Sequence, residues 1–168
     1  KEIIAVENNP VHLRVAREFF GVTRKMTALH QADAAEFVQR YRGGMFDLII
    51  DDLFVAHGNV ARRALSCDSR WLKQLTRNLR KDGVLSVNFS DRRECLATPF
   101  SGWFGPGRRF GSAFELRSPS TDNVIAAMLP GRADTASLRA HLQATPALSG
   151  LLKAGHLRYQ VRSMVLRP

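Results

Sequence analysis

Short apolar runs alternate with helical patterns from Ile3 to Phe89, and few folds accept such a chain. Ile3–Val6 is a continuous apolar run, the pattern of a strand buried on both faces, and Glu7 and Asn8 close it. Asn9 supplies a cap and Pro10 suits the first helical position. A helix is therefore expected from Val11 to Phe20, with Val11, Val15 and Phe19 on one face and Gly21 as its stop. Met26–Gln31 reads as a second strand. Asp33 can cap a helix over Ala34–Arg42, with Phe37 and Tyr41 one turn apart, ended by Gly43–Gly44. Phe46–Ile50 repeats the buried-strand pattern and ends in Asp51–Asp52. After a variable stretch from Leu53 to Cys67, Asp68 or Ser69 caps a helix that carries Leu72, Leu75 and Leu79 inward. Asp82–Gly83 predicts a break, and Val84–Phe89 a fourth strand.

The C-terminal half changes character. Arg92 to Gly111 reads as loop, rich in glycine and proline after position 98. Ala113–Arg117 and Asn123–Leu129 read as antiparallel strands joined by Ser118–Asp122. Thr135–Ala144 reads as a helix and Leu157–Leu166 as a last strand. The expected fold is α/β. It has a doubly wound, mostly parallel sheet with helices on both faces and an antiparallel hairpin at the C-terminal edge, in one domain over 1–168. In such sheets ligands sit beyond the carboxyl ends of the strands.

Composition narrows the class. At 168 residues with 45% apolar and 24% charged residues, the chain is neither a disordered tail nor a coiled coil. Its longest apolar run, Val124–Leu129, is far below the roughly 20 residues of a membrane span, so no membrane partner is expected. Two cysteines, Cys67 and Cys95, have neither ligand spacing nor a disulfide framework and fit a reducing cytoplasm. The net charge of +10 comes largely from arginine, scattered apart from the pairs Arg62–Arg63, Arg92–Arg93 and Arg108–Arg109. A solvated basic surface accounts for it, and nucleic acid is the minor alternative. The segment Gly102–Gly111 mixes Trp103, Phe104 and Phe110 with Arg108 and Arg109. Such a mix can stack on bases, although a mobile surface loop is the plainer reading.

Four polar side chains fall at carboxyl ends of expected strands: Glu7, Asp33, Asp52 and Asn88. A carboxylate at Glu7 can accept both hydroxyls of a ribose, or can favour the helix start that follows it. Asp33 can accept the exocyclic amine of an adenine, or cap its helix, or both. Asp51 and Asp52 cannot both be buried unpaired, and neighbours on a strand point to opposite faces, so only one of them faces a ligand crevice. The five histidines have no metal-ligand spacing, and no nucleophile elbow or phosphate loop is present.

Several strings resemble the class I S-adenosylmethionine-dependent transferases, and more narrowly their spermidine synthase-like branch. Ile4–Pro10 followed by Val15–Phe20 is similar to that family's second strand, acidic loop and helix. Ala32–Phe37 resembles the adenine-contacting stretch after the third strand, Phe46–Phe54 the fourth strand with its Asp, and Gly83–Phe89 the fifth. The resemblance implies that Glu7 and Asn8 meet the ribose and that Asp33 and Ala34 meet the adenine. It gives Asp52 the amine end of the cofactor or the substrate amine, as the catalytic group. The implied cofactor is S-adenosylmethionine or its decarboxylated form. The implied reaction is aminopropyl or methyl transfer to a small-molecule acceptor, an amine or other nucleophile; a homodimer is left open. The family also has a central first strand with a Gly-rich turn and a second acid soon after the catalytic Asp. This sequence has neither the strand nor the turn, and it places Val55, Ala56 and His57 where that acid is expected. The expectation is therefore a chain without the fold's N-terminal strand and helix, inactive by itself. The alternative is a catalytically inactive basic module of the same fold that binds RNA.

Overall fold

The computed structural model describes residues 2–58 and 60–165. By contacts the chain divides into two compact units, Lys1–Gly44 and Met45–Pro168.

In the first unit, β1 (Ile4–Glu7), α1 (Pro10–Glu18), β2 (Ala28–Gln31) and α2 (Ala34–Arg40) follow the expected order. The caps form as the residues dictate. Asn9 Oδ1 accepts the N–H of Val11 at 2.9 Å ahead of Pro10, and Asp33 Oδ1 accepts the N–H of Glu36 at 3.0 Å. β1 and β2 pair in parallel from Ile4↔Ala28 to Glu7↔Gln31. Burial is slight: Leu13 is the one buried side chain among the described residues of this unit.

The second unit holds β3 (Phe46–Asp51), β4 (Phe54–His57), β5 (Val60–Arg63), α3 (Ser69–Arg77), β6 (Leu79–Phe89), α4 (Arg92–Leu96) and a 3-10 turn (Pro99–Gly102). These are followed by β7 (Ser112–Arg117), β8 (Val124–Leu129), α5 (Thr135–Ala144), α6 (Pro146–Lys153) and β9 (Gln160–Ser163). Its sheet runs β3-β6-β8-β7-β9. β3 and β6 are parallel, and the remaining ladders of that sheet are antiparallel. The expected C-terminal hairpin is present as β7–β8, and β9 extends it along β7. The last strand is shorter than Leu157–Leu166, whose final residue lies outside the described residues.

Register sorts the side chains into two faces. Leu85, Val87, Phe89, Val124, Ala126 and Met128 share one face and are all fully buried. The other face carries Leu48 and Ile50 from β3, Ser86 and Asn88 from β6, and Ile125 from β8. Toward β7 and β9 this second face is buried, as Phe114 and Val161 are; toward β3 it is bare, with Ile50 67% exposed. The expectation that Ile3–Val6 and Phe46–Ile50 are buried on both faces therefore fails. Each of β1 and β3 has a single neighbouring strand among the described residues, and Ile3, Leu48 and Ile50 are exposed.

Four further readings need correction. The stretch Leu53–Cys67 contains a β4–β5 hairpin that turns at Gly58, whose φ of 61° suits glycine. The helix α6 follows α5 after Thr145 and was not anticipated. The expected break at Asp82–Gly83 does not mark the start of the fourth strand, which begins at Leu79. β6 runs through it, and its pairing jumps from Phe46↔Leu79 to Leu48↔Val84, so Arg80–Gly83 bulge out of the ladder. Lastly, Arg92–Gly111, expected as loop, opens with α4 and a 3-10 turn, and its Gly102–Gly111 part is not a plain surface loop: Phe104 and Phe110 are buried, as are Cys95 and Phe100 before them, and Phe100 meets Phe89 edge-on at 5.7 Å.

Candidate functional site

In the first unit the parallel ladder ends with Glu7 opposite Gln31, and the Ala32 N–H donates to the Glu7 carbonyl at 3.2 Å. Glu7 thus closes β1 and Asp33 stands just past the end of β2, with Asn8 exposed beside the first and Ala34 opening the helix after the second. Glu7 Oε1 accepts the Asn9 N–H at 2.8 Å, and Oε2 lies 3.2 Å from His12 Nδ1. Partial burial opposes ionisation of Glu7. The Asn9 N–H and the His12 bond and charge outweigh it, so the Glu7 pKa sits below the usual carboxylate value. A carboxylate offers about four acceptor positions, so Glu7 retains capacity for a vicinal diol beyond these two partners. A groove of about 260 Å³ beside Asp33 is lined by Ala32, Glu36, Phe37, Arg40 and Tyr41.

In the second unit Asp51 and Asp52 part company, as adjacent strand positions must. Asp51 turns inward. Its Oδ2 accepts Arg63 Nη2 and Trp71 Nε1, each at 2.8 Å, with both members of the ion pair almost fully buried. Arg63 also donates to the carbonyls of Asn88 at 2.6 Å and Leu65 at 3.2 Å, and its guanidinium lies 5.2 Å from the Phe89 ring centre. The base of the β4–β5 hairpin is thereby tied to the ends of β3 and β6. Oδ1 of Asp51 is buried with no partner among the described residues. Burial, then the Asp51 charge, push the Cys67 thiol up to about 12, against the opposing pull of Arg63.

Asp52 is exposed. Its Oδ1 accepts Asn88 Nδ2 at 2.8 Å, and Asn88 Oδ1 in turn accepts Asn123 Nδ2 at 3.3 Å. Asp52 and Asn88 were singled out from the sequence; Arg63, Trp71 and Asn123 were not. A doublet of acids after an apolar strand was a signal that some cation must answer one of them, and the Arg62–Arg63 pair was its nearest source.

Two of the three rings of the aromatic and arginine loop are packed inward, and Trp103 is half-buried. Phe104 and Phe110 are buried, and Arg109 packs 4.8 Å over Phe110 while donating to the carbonyls of Leu79, Arg80 and Lys81. That loop holds down the β6 bulge. Among the described residues no three His, Cys, Asp or Glu side chains gather to hold a metal ion, and no helix is long and apolar enough to cross a membrane.

The mixed α/β architecture, with parallel pairing of β1 with β2 and of β3 with β6, is consistent with a Rossmann-like fold of the methyltransferase type. Among solved structures it is the fold of spermidine synthases. A probable spermidine synthase from Corynebacterium glutamicum matches 95% of this chain and 57% of its own at 19% identity, with a TM-score of 0.66. A spermidine synthase in complex with the transition-state analogue AdoDATO matches 77% of this chain and 45% of its own at 18% identity, TM-score 0.52. The spermidine synthase of Thermotoga maritima matches the same shares at 19% identity, TM-score 0.50. The chain thus spans between 45% and 57% of the length of these structures. No protein-family model matches the sequence, and no curated protein matches it either.

Proposed function

We propose that this chain is part of a spermidine synthase-like transferase that uses S-adenosylmethionine or its decarboxylated form and transfers an aminopropyl or methyl group to a small nucleophile. The observation that carries this reading is an exposed Asp52 at the carboxyl end of β3, bonded to Asn88, in a chain with the fold of spermidine synthases. When bound, the cofactor supplies a carbon made electrophilic by its sulfonium.

The remaining work belongs to the protein. Glu7, with Asn8 beside it, accepts the ribose hydroxyls. Asp33 accepts the adenine amine while its Oδ1 keeps the N–H of Glu36, and the small Ala34 lets the base approach. Asp52 receives the acceptor amine through Oδ2, because Oδ1 already takes the Asn88 amide, and as a carboxylate it can take up the amine's proton. Val55, Ala56 and His57 supply no second carboxylate for a distal ammonium, which favours an acceptor with one reacting amine over a polyamine.

Calorimetry of the full-length protein with each form of the cofactor tests the reading. Binding that is lost in Glu7→Ala and Asp33→Ala and kept in Asp52→Asn is expected, with Asp52→Asn abolishing transfer. Absence of binding to both forms overturns it.

A further inference from the structure

Asp52 is oriented by a relay that reaches it from a third strand. Asn88 and Ile125 are paired across the β6–β8 ladder, and Asn123 stands two residues before Ile125. With a side-chain period of two, Asn123 is the diagonal neighbour of Asn88 on the same face, within reach of its amide. The contacts have a direction. Asn123 Nδ2 donates to Asn88 Oδ1 at 3.3 Å, and Asn88 Nδ2 donates to Asp52 Oδ1 at 2.8 Å.

An asparagine amide facing a carboxylate has two orientations. One offers an N–H; the other sets a carbonyl oxygen against the carboxylate and is repelled. The carboxylate itself selects the orientation that offers an N–H, which leaves the Asn88 oxygen facing Asn123; a donor there holds the Asn88 side chain in the rotamer that reaches Asp52. The backbone at Asn88 is fixed as well, since its carbonyl accepts Arg63 Nη1 at 2.6 Å.

We propose that Asn123 is a positioning residue for Asp52: it locks the Asn88 amide so that Oδ1 of Asp52 is occupied and Oδ2 is presented to the acceptor nucleophile. The second half of this statement rests on the transferase reading; the first does not. Asn123 touches neither cofactor nor acceptor in this scheme and acts only through Asn88.

Side-chain amide NMR of the intact, ligand-free chain tests the relay. The Asn88 NH₂ resonances, identified by their loss in Asn88→Asp, are expected to move as Asp52 ionises and to stop moving in Asp52→Asn. Asn123→Leu keeps the shape and removes the donor. It is expected to cut the response to Asp52 by about half or more, since the Asn88 side chain then populates rotamers turned away from Asp52. Asn123→Gln, which keeps a donor, retains the response, and Asn123→Ala replaces the leucine variant if that one does not fold. An undiminished response in the donorless variant overturns the relay.

The kinetic arm uses an amine acceptor with each form of the cofactor. Asn123→Leu is expected to lower kcat about tenfold with the acceptor KM within about twofold, and Asn123→Gln to restore it. Unchanged kcat alongside a lost NMR response overturns the positioning role. Absence of transfer by the unmodified full-length protein overturns the transferase reading and leaves the relay to be judged by NMR alone.

Discussion

Asp51 and Asp52 are chemically identical and one bond apart, yet one is sealed behind the sheet and the other meets water. The difference is the company each finds. Asp51 has Arg63 and the Trp71 indole, whereas Asp52 has, among the described residues, a single neutral amide. Breaking a buried pair leaves an uncompensated charge, so Arg63→Met is expected to cost about 3–5 kcal/mol, measured by urea unfolding at neutral pH. Glu7 makes a second residue-scale prediction. Its pKa is lowered in the folded chain, so its contribution to stability is present above the ordinary carboxylate value and fades as pH falls through the lowered one. A stability gap between the native chain and Glu7→Gln at neutral pH should therefore close in acid, and a gap that persists there would contradict the assignment. The acids were legible in the sequence because each closes an apolar run. Their partners were not: Arg63, Trp71 and Asn88 stand 12, 20 and 36 positions from the acids they answer, and no period in the sequence encodes such distances.

At the scale of elements, helix starts were the most readable feature. Asn9, Asp33 and Asp68 each accept an N–H of the helix they open, because a short polar side chain before a helical run has few better uses. The β4–β5 hairpin was hidden because its strands are only four residues each and Arg62–Arg63 breaks the apolar pattern, although Gly58–Asn59 is a two-residue turn signal. The segment Arg92–Gly111 was misread for the opposite reason. Its glycines and prolines signal loop, and they do make irregular backbone, but its phenylalanines anchor that backbone in the core. Phe100, only 1% exposed, should behave as a core residue: Phe100→Ala is expected to lose about 3–5 kcal/mol, checked by chemical denaturation. A loss below about 0.5 kcal/mol would return the segment to the surface.

For the whole molecule, the alternating pattern gave the α/β class and the order of elements, and the two-unit division was not legible. That division reflects unequal burial. The second unit has a continuous apolar face under β6 and β8, while the first, 44 residues long, buries Leu13 alone among its described side chains. A piece that small rarely supports itself. Expressed separately, Met45–Pro168 is expected to unfold in one cooperative transition by circular dichroism, and Lys1–Gly44 to give none. A cooperative transition in the shorter piece would mean that its few half-buried contacts suffice.

The relay among Asp52, Asn88 and Asn123 has a consequence for folding. Its members come from the ends of three strands, so they can meet only when β3, β6 and β8 are all in step. Were β6 to settle one position out of step, Asn88 would turn under the sheet among Val124, Ala126 and Met128, and Val87 would come out in its place. A buried amide with nothing to bind makes that misalignment unstable, and the chain is driven back toward its native pairing before any ligand arrives.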